Sequence, residues 1–230
     1  MMQRVTPAVM NLIIINVLVY MAQKLITPVD VTNWGAMHYF KSAAFMPHQL
    51  ITHMFMHSPA GIGHLMFNML GLWMFGCTLE NYIGSKRFLI FYLISGVGAG
   101  ILTQFSIPVS AMVFANSADG HSIAAQAGVS SSQIADIVKE GYSLVGASGA
   151  LMGVMAGYAY LFPNTLLHMF LVPVPVKAKY VVLLYVAMDL FGSFYRVPGD
   201  NVAHFTHLSG ALIGFLLLYY WNKTNRKTFY

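Results

Sequence analysis

The sequence predicts an all-α membrane protein, a bundle of six transmembrane helices in a single domain covering residues 1–230. Two observations carry that prediction. Charged residues are only 8% of the chain and apolar residues 57%, against about 25% charged in an ordinary soluble protein, and mean hydropathy is +0.65. In addition, six apolar runs at 7–22, 63–79, 87–105, 145–162, 180–195 and 201–221 are each near the ~20 residues a helix needs to cross the hydrocarbon core.

The first run follows Arg4 and imitates a signal peptide, but no convincing small-x-small cleavage site comes after Met21. It is therefore expected to remain as the first span. The segment 23–62 carries Trp34, Tyr39, Phe40, Phe45 and Phe55, an aromatic content suited to the membrane interface. Span two opens with His64 and Asn68, four residues apart and so on one helix face. Span three leads into the segment 106–142, small-residue-rich and polar, expected as a loop with one short amphipathic helix at 130–140. Span four opens with Gly146-Ala147-Ser148-Gly149 and continues a small stripe through Gly153 and Gly157. Span five holds Asp189, a costly residue in lipid. Span six opens with His204 and His207, the latter on a face shared with Gly210 and Gly214.

The single cysteine, Cys77, excludes an intrachain disulfide. The net charge of +5 is spread in short clusters beside apolar runs, which points to lipid headgroups as partners rather than nucleic acid. With the N-terminus inside, Arg4, Lys86, Arg87, Lys177, Lys179, Lys223, Arg226 and Lys227 gather on the inner side, leaving Lys24, Lys41, Lys139 and Arg196 outside. Asp30, Asp119, Asp136, Glu140 and Asp200 also fall outside. This distribution predicts a multi-pass protein of the cell (inner) membrane with both termini cytoplasmic. Spans two, four and six then run inward, and at ~1.5 Å per residue their opening polar residues share the outer half of the bilayer.

That shared depth gives the polar residues a chemical reading. The small stripes of spans four and six permit close helix approach, and if they pack together Ser148 and His207 come within hydrogen-bonding range. A serine hydroxyl becomes a useful nucleophile when an adjacent base takes its proton, and neutral histidine suits that task. Helix-terminal amides near Ser148, with His64 and Asn68, suit stabilisation of an oxyanion. A lone serine in a spanning helix usually bonds to its own backbone, so the weight lies on the joint occurrence. No carboxylate is obviously placed to complete a triad.

Three motifs in order, His64-Leu65-Met66-Phe67-Asn68, Gly146-Ala147-Ser148-Gly149, and Ala203-His204-Phe205-Thr206-His207-Leu208-Ser209-Gly210 continuing to Gly214, resemble the rhomboid family of intramembrane serine proteases. The resemblance implies a rhomboid-like six-helix bundle, a Ser148/His207 dyad, and oxyanion contributions from His64, Asn68 and the Ser148 amide. It further implies hydrolysis of peptide bonds in or beside transmembrane segments of protein substrates, without metal or organic cofactor. His204 resembles the extra histidine found before the catalytic one in many members. Three departures stand out: His48-Gln49 occupies the place where the family often has Trp-Arg, Met152 stands where many members carry an aromatic, and the segment between spans three and four is long. Asp189 has two uses, orienting His207 or making a structural polar contact, and the second is favoured because the family dyad works without a carboxylate. Glu80 is likewise expected to be structural.

Three other readings compete. His53 and His57 at i, i+4 and His204 beside His207 invite a metal, but there is no His-Glu-x-x-His motif. A non-proteolytic rhomboid-like chaperone or trafficking factor is the serious alternative. Such proteins typically lack the serine or the histidine, and this chain has both. A transporter fits less well, because the polar groups form one layer rather than a path.

Overall fold

The computed structural model describes residues 4–168, 174–194 and 202–224. Helices there are α1 (Pro7–Leu25), α2 (Val31–Gly35), α3 (Gln49–Thr52), α4 (Gly63–Gly71), α5 (Cys77–Ile83), α6 (Ser85–Ala115), α7 (Ala118–Ala127), α8 (Ser131–Glu140), α9 (Ser148–Leu161), α10 (Ala178–Phe194) and α11 (His204–Thr224). Among the described residues, α1 and α6 are long and apolar enough to cross a membrane by length and composition. Tyr195, Arg196, Asp200, Asn201, Arg226 and Lys227, which the sequence reading uses as span ends or flanking charges, lie outside the described residues.

Helix α9 is the axis of the molecule. Its residues from Gly149 to Tyr158 are all buried, and it packs against both α6 and α11. Around it the main core gathers Val9 and Leu12 of α1, Leu79 of α5, Phe88, Phe91 and Tyr92 of α6, and Leu218 of α11. The outward faces are apolar as well: Leu18, Phe105, Leu183, Leu184 and Phe191 are exposed. A chain that is apolar inside and out is suited to hydrocarbon rather than water as its surroundings.

The helix bounds differ from the apolar runs where local chemistry intervenes. The run at 63–79 is helical through α4, a π-helical turn at Leu72–Gly76, and α5. The run at 145–162 becomes helix only at Ser148, since Gly146 at φ +126 sits in a conformation that side-chain-bearing residues rarely adopt. Glu80 is structural, as expected. Its carboxylate accepts from the Ala8 and Val9 amides at 2.8 and 2.9 Å, and from the Thr6 and Ser85 hydroxyls. It thereby caps the start of α1, whose first amides have no intrahelical acceptor.

The expected loop at 106–142 requires correction, for it is largely helical. Helix α6 continues through Pro108 to Ala115, although proline removes one ladder hydrogen bond and argues for a break. Helix α7 then starts at a Ser117 cap, whose Oγ accepts from the Gly120 amide at 3.1 Å. Helix α8 realises the expected amphipathic helix, opened by a capping box between Ser130 and Gln133. The small residues that read as loop are packing residues: Ala111, Ala115, Ala124 and Ala135 close with Ile134 into a second core.

The segment before α4 folds back over the start of α9. Strand β1 (Met37–His38) pairs antiparallel with β2 (Ser143–Leu144), and the His53 carbonyl accepts from the Gly146 amide at 2.9 Å. Gln49 organises this segment from a buried position. Its side-chain oxygen accepts from the His38 and Met46 amides, while its amide donates to the Ala44 and Trp34 carbonyls. Beside it the His48 ring stacks on Trp34 at 4.3 Å between centroids. The pair His48-Gln49 thus holds the segment through amide hydrogen bonds and ring stacking. A further short pair, β3 (Leu166–Leu167) with β4 (Val176–Lys177), lies between α9 and α10.

Candidate active site

The site is assembled at the N-terminal ends of α4, α9 and α11, with α10 closing one side. Ser148 is the first residue of α9, so its amide belongs to the turn whose N–H groups lack intrahelical partners. The preceding residues are held by the Gly146–His53 bond and by the Leu151 amide, which donates to the Ala147 carbonyl at 2.9 Å.

Glycines decide how close α9 and α11 come. A Cβ on Gly210 would stand 1.9 Å from the Gly149 carbonyl oxygen, and one on Gly214 would stand 2.5 Å from the Gly153 Cα. On α9, a Cβ at Gly153 would meet Ser95 of α6 at 2.6 Å and one at Gly157 would meet Leu218 at 2.4 Å. Gly149 is less tight, 3.1 Å from Ala99 and Thr206. Side chains at Gly210 or Gly214 would force the backbones apart. Thr103 and Thr206 then share a hydrogen bond at 2.8 Å, joining α6 to α11.

This packing brings Ser148 and His207 together, with His207 Nε2 2.8 Å from Ser148 Oγ. The other ring nitrogen faces a carboxylate: His207 Nδ1 lies 3.0 Å from Asp189 Oδ1. The same oxygen is 2.7 Å from His204 Nδ1. Asp189 thus makes a polar contact, as expected, and the expectation that no carboxylate is placed beside the dyad is corrected. Asp189 is 5% exposed and meets the His207 ring on the side away from Ser148. The sequence did signal it, through an acid in a span with Gly192 three residues on. A Cβ at Gly192 would fall 2.3 Å from His204 Nε2, so that glycine makes room for the second imidazole.

His64 stands on the other side of Ser148. Its ring lies against Gly146, 3.0 Å from where a Cβ would be, and that same Cβ position is 3.5 Å from Ser148 Oγ. The Ser58 amide donates to His64 Nδ1 at 3.3 Å, so in the neutral ring the proton resides on Nε2, a donor beside Ser148. Asn68 is buried one turn below, and its amide donates to the His64 carbonyl at 2.8 Å. It therefore braces the turn that carries His64, with one amide proton committed there. Met152 is buried in the core, 4% exposed.

His53 and His57 serve the loop. His53 Nδ1 donates to the Gln49 carbonyl at 2.8 Å and His57 Nδ1 to the Phe55 carbonyl at 3.3 Å. Burial pushes both down to about 4, with the neighbouring His64 adding to the effect at His57. Both rings are therefore neutral at physiological pH.

A family model for the rhomboid domain matches residues 44–223, most of the chain and every residue of this site. The chain belongs to the rhomboid family. Among relatives, it is 32% identical over 164 residues to Rhomboid protein 1, mitochondrial, of Saccharomyces cerevisiae, covering 71% of this chain and 39% of that one. It is 30% identical over 178 residues to RHOMBOID-like protein 6, mitochondrial, of Arabidopsis thaliana, covering 74% of this rhomboid and 42% of the relative. To the rhomboid protease GlpG of Salmonella choleraesuis it is 32% identical over 107 residues, 46% of this chain and 38% of that one. The chain thus spans less than half the length of these three relatives. Rhomboids are integral membrane proteins and generally intramembrane serine proteases, and GlpG is named as a protease.

Proposed function

We propose that this rhomboid is an intramembrane serine endopeptidase that cleaves transmembrane or juxtamembrane segments of membrane proteins through Ser148 and His207. The observation that carries the reading is the 2.8 Å separation of His207 Nε2 and Ser148 Oγ, the geometry of a nucleophile with its base. In the first half-reaction His207 Nε2 takes the Ser148 proton and Oγ bonds to the peptide carbonyl carbon. The resulting oxyanion is held by the Ser148 amide and by His64 Nε2, with Asn68 contributing through its remaining donor. The C–N bond then breaks as His207 returns the proton to the leaving amine. In the second half-reaction His207 deprotonates water, which attacks the acyl carbon, and the C–Oγ bond then breaks as His207 returns that proton to Ser148 and the carboxylic acid product leaves.

The proposed setting is a six-span bundle with both termini in the cytoplasm and the site open to water from the outer half of the bilayer. Its partners are membrane-protein substrates and the surrounding lipid, and the chemistry needs no metal or organic cofactor. Two of the relatives are named as mitochondrial, so the membrane assigned is the cell (inner) membrane or a mitochondrial one. The glycine stripes in this reading serve to hold α9 and α11 in register. A rhomboid-like chaperone or trafficking role would leave no reason for an imidazole to stand 2.8 Å from the serine hydroxyl.

The test is covalent labelling. A fluorophosphonate incubated with the purified protein in detergent is expected to add to Ser148, located by peptide mass, and to fail with the His207→Ala variant. Labelling of that variant at the wild-type rate would refute the activation of Ser148 by His207.

A further inference from the structure

We propose that Asp189 is a positioning residue of the reaction, fixing the His207 tautomer so that the site works as a Ser148–His207–Asp189 array. The inference rests on the protease reading above and extends it to a residue on a third helix. Asp189 Oδ1 faces His207 Nδ1 at 3.0 Å, while His207 Nε2 faces Ser148 Oγ at 2.8 Å. A carboxylate accepts only. The His207 proton must therefore sit on Nδ1, which leaves the Nε2 lone pair for the Ser148 hydroxyl.

Without that acceptor, neutral imidazole is free to carry its proton on Nε2 and donate it to Ser148, a state with no base. The carboxylate also favours the imidazolium that forms once His207 takes the serine proton, because the new positive charge lies beside a negative one. No atom of Asp189 bonds to substrate in this scheme, and its effect passes through His207.

His204 makes the arrangement unlike a simple triad. Its Nδ1 lies 2.7 Å from the same Oδ1, so two imidazoles on the first turn of α11 flank one carboxylate oxygen from α10. A buried carboxylate is costly in a membrane unless donors satisfy it. His204 supplies a second donor to the Asp189 carboxylate beside His207, and Gly192 supplies the space for it.

The experiment combines kinetics with a direct readout of the tautomer. Wild type, Ser148→Ala, Asp189→Asn and Asp189→Glu are assayed on a reporter transmembrane substrate in liposomes, with thermal unfolding as the folding control. The expected result is that Asp189→Asn lowers kcat by about 10²- to 10⁴-fold, with KM within about threefold and folding intact. Asp189→Glu is expected to recover part of kcat. In 15N-histidine spectra, wild-type His207 is expected in the Nδ1–H form and the Asn variant in the Nε2–H form.

If wild type cleaves in a Ser148-dependent manner and Asp189→Asn stays within fivefold of it, the positioning role is overturned and the protease reading stands. Absence of Ser148-dependent cleavage by wild type overturns both. Should the Asn variant fail to fold, the wild-type spectrum decides, and an Nε2–H His207 overturns the proposal.

Discussion

The Gly149 carbonyl of α9 and the Gly210 Cα face of α11 are in direct contact, with only 1.9 Å between that oxygen and the place a Cβ on Gly210 would take. Ser148 is one residue before this contact and His207 three residues before it on the facing helix. The separation of nucleophile and base is therefore set by backbone-to-backbone packing.

Gly210→Ala is expected to lower cleavage at least about 100-fold, since a 1 Å misplacement of reacting groups costs that much. Overpacking should also cost about 1–3 kcal/mol of stability. Gly149→Ala, where the nearest atoms are 3.1 Å away, is expected to be milder on both counts. Parallel activity and unfolding measurements on the two variants check the contrast.

Glu80→Ala is expected to destabilise the protein by about 2–4 kcal/mol, because the Ala8 and Val9 amides and two hydroxyls lose their acceptor in a buried setting. Glu80→Gln should cost less, since its carbonyl oxygen still accepts. Unfolding in detergent resolves the series, and equal stability of wild type and the Ala variant would contradict the capping role.

Stability should fall on acidification through His53 and His57. Unfolded, each ring takes up a proton near 6.5, whereas folded each does so only near 4. The unfolded state thus binds more protons between those values, so this contribution is complete above pH 6.5 and is lost as pH falls towards 4. The His53→Gln/His57→Gln double variant is expected to show a flatter dependence of unfolding midpoint on pH over that interval.

Gln49→Ala should loosen the segment between α1 and α4, since all four hydrogen-bonding positions of its amide are used. The expected outcome is faster tryptic cleavage after the exposed Lys41, with a stability loss of about 1–3 kcal/mol. Unchanged cleavage kinetics would count against Gln49 as the organiser of this segment.

Much of the site could be read from spacing alone. His64 with Asn68 and His207 with Gly210 and Gly214 repeat at helical intervals, so one-dimensional order carries their shared faces. Spacing does not carry distances between helices that are far apart in the chain. Asp189 was visible as an acid in a span, yet its partners lie 15 and 18 residues further along the chain, and nothing local says that α10 and the first turn of α11 meet. The extension of α6 past Pro108 was hidden for a different reason. Proline and alanine-rich polar sequence resemble a loop until the second core they form with α7 and α8 is seen. The Leu72–Gly76 π turn leaves no mark in an uninterrupted apolar run.

The central claim is that Ser148 and His207 act as one unit on a peptide bond, and cleavage of a reporter transmembrane substrate in liposomes by wild type, Ser148→Ala and His207→Ala tests it most directly. The predicted result is cleavage by wild type and a loss of at least about a thousandfold in each variant, with unfolding midpoints unchanged. Cleavage by either folded variant within tenfold of wild type would contradict it.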